Sequence, residues 1–287
     1  MDPKDEARDF LITRRNRLTP ERAGLAYVGG NRRVPGLRRE EVAMLAGVSV
    51  EYYVRLERGN LAGASEQVLD ALSSALQLDE AERAHLYDLA RHASARSRSS
   101  APRRVLRPQV QWLLDQMTGS AAYVRNARLD IVGTNTLGRA LYSPVFDAAG
   151  GNSSRFIFLC EEQAREFFVD YEEIALNSAA ILRTLAGENP HDPALTRLVG
   201  ELSTRSERFR QLWARHDVRL HQSGVKRFRH PVVGELEVSY EAMDLAADPG
   251  LRLNAYAAEP GTESAEKMRL LASWATSSVE SPADVVG

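Results

Sequence analysis

Residues 38–59, Arg-Arg-Glu-Glu-Val-Ala-Met-Leu-Ala-Gly-Val-Ser-Val-Glu-Tyr-Tyr-Val-Arg-Leu-Glu-Arg-Gly, constrain this chain more than any other stretch. They read as two short helices joined by a tight turn. The first turns Val42, Ala43 and Ala46 inward. Gly47 takes the bend, since a residue without Cβ adopts positive φ at no steric cost. Ser49 is placed to cap the second helix by accepting a hydrogen bond from a backbone N–H of its first turn. Val50, Tyr53 and Leu56 recur at spacings of three, with Val54 beside them, and give that helix one apolar side. Gly59 stops it. Glu51, Tyr52, Arg55 and Arg58 remain outward, a face suited to base edges and phosphates. A helical hairpin alone is common and can pack only against its own domain. Here the small residues, turn glycine, serine cap, apolar triplet and closing glycine all fall in register.

The stretch resembles the Xre/Cro family of bacterial repressors, and the likeness runs from about residue 6 to 93. The resemblance implies an all-α, five-helix head whose second and third helices form the helix-turn-helix. It also implies that Arg39 touches a phosphate at the start of helix 2, with Arg38 beside it, and that Ser49, Val50, Glu51 and Arg55 face the groove. Tyr52 and Arg58 complete the candidate DNA-binding set. Val50 and Glu51 stand where the family usually has Gln, so its base preference is not inherited. Glu57 takes a position that usually pairs with a helix 1 arginine, for which Arg14 or Arg15 is available. The connection from Thr19 to Leu37 is longer than the family's. It is either an ordered turn that adds Arg32 and Arg33 to the phosphate-facing surface or a solvated loop.

At 287 residues, 44% of them apolar, the chain can fill two domain cores. No run approaches the length of a membrane span, and Asp-Pro-Lys-Asp after Met1 does not read as a secretion signal. A single cysteine, Cys160, excludes an internal disulfide framework. The expected location is the cytoplasm, with no membrane partner. The net charge of −2 hides a division: residues 1–107 carry 19 Lys+Arg against 15 Asp+Glu, and residues 108–287 carry 18 against 24. A basic head on an acidic body fits a polyanion-binding module joined to a regulatory one.

Punctuation along the chain divides it into a head (1–93), a basic linker (94–107), a second domain (108–277) and a tail (278–287). In the head, helices are expected over 4–18, after the Ser65 cap, and from Glu80 to about His92 after Asp79. Pro108 opens a helix to Met117. Ala121–Asn126 and Leu129–Gly133 read as two short strands, and Thr136–Leu141 as a helical turn ending before Ser143-Pro144. A helical middle follows, over 161–168, 171–186, 193–202 and 206–215. Period-two patterning returns in 219–222, 225–230, 235–241 and 251–257. There Leu236, Val238 and Tyr240, and likewise Leu251 and Leu253, suit an antiparallel sheet with one buried face. The second domain is therefore α+β.

This order of strand pair, helical insert and antiparallel strands resembles a PAS-like fold. It is closer still to the MmyB-like ligand-binding domain that follows an Xre-type head in bacterial regulators. The residues that carry the likeness are Asn152–Phe158, Phe209–Val218, Lys226–Leu236 and Ala258–Gly261. The resemblance implies a transcription regulator whose second domain holds a small, mostly apolar ligand, a fatty-acid-like molecule being one option. Candidate wall residues are Trp112, Tyr123, Phe156, Phe158, Phe167, Phe168, Phe209, Trp213, Phe228 and Tyr240, and each suits ordinary core packing as well. Candidate polar anchors are Asn135, Arg155, His216, Arg219 and His230. Asn135 starts a helix and reads first as its cap, Arg155 can as readily pair within its own domain, and His230 at a strand end reads first as holding the turn to Gly234.

No metal site is expected: His216 and His221 have no nearby cysteine to complete a ligand set. The acidic neighbours of Cys160 would raise its thiol pKa, and no serine or histidine motif or phosphate loop is present. The expected partners are double-stranded operator DNA, a small apolar ligand and a second copy of the chain, with no cofactor and no enzymatic activity. The runner-up is a small-molecule-modifying enzyme carrying a DNA-binding module. An architectural protein whose second domain supplies only dimer contacts is a third reading.

Overall fold

Five helices come first: α1 (Pro3–Arg17), α2 (Arg39–Leu45), α3 (Val50–Glu57), α4 (Glu66–Ala75) and α5 (Glu80–Ser94). The computed structural model describes residues 3–25, 36–94, 106–190, 192–219 and 222–279. The helix starts follow their caps. Ser49 Oγ accepts from the Tyr52 N–H at 3.1 Å, and Ser65 Oγ from the Val68 N–H at 3.4 Å. Asp79 and Glu82 each accept the other's backbone N–H, at 2.8 and 3.1 Å, a reciprocal box that opens α5. Gly47 has φ +63° at the turn between α2 and α3. Phe10, Leu11, Leu37, Val42, Ala43, Tyr53, Leu56, Leu72 and Leu86 are buried together. Full burial of each larger side chain contributes about 1.5–3 kcal/mol.

This first compact unit also contains residues 179–197 and 211–220, which lie far beyond the boundary expected near residue 93. They carry the C-terminal part of α11 (Tyr171–Glu188), the start of α12 (Pro193–Arg205) and the end of α13 (Glu207–Trp213). Val218 joins the head's apolar core. Arg17 Nη2 meets Asp217 at 2.6 Å. The buried Arg183 pairs with the buried Glu6, donates to the Trp213 carbonyl at 2.6 Å, and lies 3.8 Å over the Trp213 ring. His85 Nε2 and His216 Nδ1 stand 3.9 and 3.8 Å from the same Glu6 oxygen.

The second unit comprises 101–178, 198–210 and 221–287. It runs through α6 (Pro108–Gln116), β1 (Ala121–Arg125), β2 (Ile131–Thr134), α7 (Thr136–Leu141), α8 (Ser143–Ala149), α9 (Ser153–Leu159) and α10 (Glu161–Phe167). After the parts of α11, α12 and α13 that belong to it come β3 (Ser223–His230), β4 (Gly234–Asp244), β5 (Arg252–Ala257) and α14 (Glu263–Val279). The strands form one antiparallel sheet in the order β2-β1-β5-β4-β3. This is the α+β architecture, with a helical insert, that the strand-pair, helices, strands order implies.

The sheet departs from the expected single buried face. Ala122, Val124, Leu251 and Leu253 pack against Val110 and Leu114 of α6 on one side. On the other side Tyr123 stands opposite Asn254, and Tyr240 opposite Tyr256. All five residues of β1 are consequently buried. Leu253 and Tyr240 therefore serve opposite faces.

Among the described residues no helix is long and apolar enough to cross a membrane, and no group of three or more His, Cys, Asp or Glu could hold a metal ion. The tail from residue 280 and Arg32, Arg33 and His221 lie outside the described residues, as does the linker from 95 to 105.

Candidate functional site

The helix-turn-helix is pinned from inside by one carboxylate. Glu57 is buried and accepts from Arg15 Nε at 2.5 Å and from the Tyr53 hydroxyl at 3.2 Å on Oε1, while Arg39 donates to Oε2. Arg15 also donates to the Leu37 carbonyl at 2.9 Å. Of the two α1 arginines expected to pair with Glu57, Arg15 does so, and Arg14 goes to Glu82 at 2.8 Å. One ion cluster thus fastens α1, α2 and α3. Gly59 closes α3 at φ +83°, where a Cβ would lie 2.0 Å from the Lys4 carbonyl oxygen. A side chain there would force α1 away from α3.

Eight of the ten proposed DNA contacts fall on α2, α3 and their flanking residues, and the other two, Arg32 and Arg33, lie outside the described residues. Arg38, Arg39, Ser49, Glu51, Arg55 and Arg58 are exposed and Tyr52 is half-buried. Arg39 keeps 53% of its side chain exposed while bound to Glu57. Arg38 offers its backbone N–H to Glu41 at 2.6 Å and its guanidinium to Glu40 at 3.3 Å. The Arg55 guanidinium lies 4.7 Å over the Tyr52 ring. Val50, expected on the apolar side with Tyr53 and Leu56, is 41% exposed. It is the first residue of the helix, before the turn that Tyr53 and Leu56 bury, so its Cβ points outward with Glu51.

The proposed ligand residues are divided between the units. Trp213 and His216 belong to the first, beside Arg183 and Glu6. In the second, Trp112 is 63% exposed on α6. Asn135 is fully engaged: it accepts from Gly138 and Ala122 N–H groups at 2.7 and 3.0 Å and donates to the Met117 and Ser120 carbonyls at 2.7 Å. Arg155 pairs with Glu201 at 2.9 Å. His230 spans the Ala140 carbonyl at 3.0 Å and the Val232 N–H at 3.2 Å. Phe158 meets Phe209 edge-on at 5.0 Å, and Phe228 packs with Tyr142, Phe167 and Phe168.

Tyr123 and Tyr240 lead to a cluster that none of those anchors touches. The Tyr142 hydroxyl donates to Tyr256 at 2.8 Å, and Tyr256 shares a hydrogen bond with Tyr123 at 3.0 Å. Burial, and then the neighbouring Tyr123, holds the Tyr142 and Tyr256 hydroxyls well above the usual phenol range, so both stay neutral. Lys226 Nζ reaches these two hydroxyls at 3.4 and 3.3 Å, and lies 5.1 Å over the Tyr240 ring. Burial, and then the charge of Arg125, pulls its ammonium down to about 7. Asn254 is buried on the same sheet face, and neither atom of its side-chain amide has a hydrogen-bond partner among the described residues. Lys226, Arg125 and the unsatisfied Asn254 amide therefore lie on one aromatic face of the sheet; Asp244 acts on Arg125, and no carboxylate is among the groups that perturb Lys226.

Two clefts open elsewhere in this unit, away from the Lys226 cluster. One, of about 490 Å³, lies between α7 and α14 and is lined by Asp115, Arg139, Asp147 and Trp274. The other, of about 420 Å³, is lined by Leu137, Pro260, Met268 and Arg269.

Residues 106–271, more than half of the chain, match the MmyB-like transcription regulator ligand-binding domain, and residues 9–86 match a helix-turn-helix domain. The chain belongs to the MmyB-like transcription regulators. No curated protein matches it. Both matched regions fall where the residue patterns at 38–59 and 209–236 point. The MmyB-like domain carries the Lys226 cluster within its sheet. Lys226 and Asn254 both fall in strands with alternating patterning, and neither is among the polar anchors that the sequence offers. The useful signal was that Lys226, one of three lysines in the chain, alternates with the inward Phe228.

Proposed function

We propose that this DNA-binding regulator reads operator DNA through the exposed face of α3 and responds to a small apolar ligand with an acidic head group. The observation that carries the first half is a recognition helix exposed on an arginine-rich surface while its own carboxylate clamp, Glu57, is satisfied inside. Arg55 and its neighbours are available for base edges, and Arg38, Arg39 and Arg58 for phosphates. One such head spans few base pairs. A homodimer would set two recognition helices about 34 Å apart on a near-palindromic site. Work on DNA assigns the protein to the cytoplasm.

Arg55→Ala is expected to weaken specific operator binding more than binding to random duplex, and Arg39→Ala to weaken both. Gel shifts against operator and random DNA check this, and wild-type binding by both variants overturns the assigned face.

The second half rests on the Lys226, Arg125 and Asn254 cluster, whose two cations and orphaned amide call for an anionic hydrogen-bonding group beside an aromatic wall. A fatty-acid-like molecule meets both demands. Native mass spectrometry of the purified protein incubated with decanoate tests it, a bound adduct being the expected result. The enzyme alternative has one observation in its favour. An amine with a pKa near 7 is a competent nucleophile toward a carbonyl. Borohydride trapping with decanal would leave a covalent adduct on Lys226 if that reading held, and none under the sensor reading.

A further inference from the structure

The α3 surface carries one group of the wrong sign for a polyanion. Glu51 is exposed among Arg38, Arg39, Arg55 and Arg58, and makes no hydrogen bond or ion pair with any described residue. Its natural intrahelical partner is present. Arg55 lies four residues on, in the orientation that favours a Glu–Arg pair. The guanidinium stacks instead on Tyr52, at 4.7 Å. Both side chains of the i, i+4 pair are thus held apart and available outward. Facing phosphates, an unpaired carboxylate would oppose binding. Facing the floor of the major groove it has a use, because base edges there offer N–H donors.

The geometry points to Glu51 as the residue that selects a cytosine in the operator, a specificity that rests on the DNA-reading role of α3. A carboxylate only accepts hydrogen bonds. Guanine and thymine offer it no donor in the major groove. Adenine's N6 donor is flanked by the N7 acceptor, which repels a carboxylate. The cytosine N4 amino group is flanked by C–H, so it takes the carboxylate without that penalty. Exposed Val50 sits beside Glu51 and suits a thymine methyl in the neighbouring pair.

Selection of bound duplexes from a random pool, with wild-type protein and the Glu51→Gln and Glu51→Ala variants, tests this. Wild type should enrich a motif with one position fixed as cytosine, and replacing that cytosine should cost about tenfold in affinity. Glu51→Gln should move that position to adenine, since an amide matches adenine N6 and N7, and Glu51→Ala should leave it degenerate. An identical motif from all three proteins overturns the proposal and leaves Glu51 as an acidic residue favourable only to the helix N-terminus. So does a fixed base other than cytosine at the altered position. Failure of folded wild type to enrich any motif overturns the DNA-reading role itself, and so is distinguishable from failure of the cytosine assignment alone.

Discussion

Arg183→Met is expected to destabilise the first unit by about 3–5 kcal/mol, the usual cost of leaving one member of a buried ion pair unpaired. Arg183 is 1% exposed, and its guanidinium holds Glu6, the Trp213 carbonyl and the Trp213 ring at once. Burial works against the charged Glu6 carboxylate, but the His216 ring 3.8 Å away and the charge of Arg183 outweigh it and hold the group at about 2. Against an ordinary value of 4.5 this contributes about 3 kcal/mol, present above pH 4.5 and lost as pH falls toward 2. His85 acts in the same direction. Burial pulls it from 6.5 to about 4, so it stays neutral in the fold and stability declines as pH drops through that window. Acid should therefore weaken the protein in two phases, one between pH 6.5 and 4 and one between 4.5 and 2. Thermal melts at pH 7 should place Arg183→Met more than about 10 °C below wild type. Glu6→Gln combined with Arg183→Met should recover part of the loss, because no charge is then left buried alone. An unchanged melting temperature for Arg183→Met would show that the cluster contributes nothing.

What the amino-acid sequence disclosed, and what it hid, divides along range of interaction. The caps at Ser49, Ser65 and Asp79, the turn at Gly47 and the strands around Tyr123 and Tyr240 are settled by neighbours a few residues away, and all were legible. The Arg183–Glu6 pair joins residues 177 positions apart, and no local pattern announces it. An arginine inside Ile181-Leu182-Arg183-Thr184-Leu185 was the one hint, since a charge in an apolar helical run needs a buried partner. Asn135 and Arg155 each carry a local reading beside the ligand reading, and the local one holds for both: Asn135 caps a helix and Arg155 pairs with Glu201. α8 was missed because Ser143-Pro144 reads as a stop, although proline is at home in a helix's first turn. α14 went unread because its buried stripe is only Met268, Leu271 and Ala275 in a polar helix. Alternation misled at β5 for a simpler reason. A strand covered on both faces buries Leu253 and Asn254 alike, so period two no longer separates inside from outside.

Lys226→Met is expected to raise the stability of the ligand-free protein and abolish binding of an acid-headed ligand, two effects of opposite sign from one substitution. In the free protein Lys226 is a partly buried amine with tyrosine hydroxyls for neighbours and Arg125 nearby, and no carboxylate offsets it. Its ammonium is held at about 7 against an ordinary 10.5, so the unfolded chain binds the proton more tightly. The penalty is full below pH 7 and is relieved as pH rises through the window from 7 to 10.5, over which wild-type stability should climb. Methionine fills similar space without the charge. Apolar replacement of buried ion pairs is neutral or stabilising by up to about 4 kcal/mol, an unpaired amine has no attraction to lose, and the climb with pH should vanish with it. A carboxylate ligand reverses the balance, because it supplies the charge that the ammonium lacks. Decanoate should therefore raise the melting temperature of wild type and not of Lys226→Met, and its affinity for wild type should fall as pH passes above 7. Thermal shifts at pH 6, 7.5 and 9, with and without decanoate, read both effects. A variant that melts below wild type and still responds to decanoate would remove Lys226 from the ligand site, and with it the argument for an acidic head group.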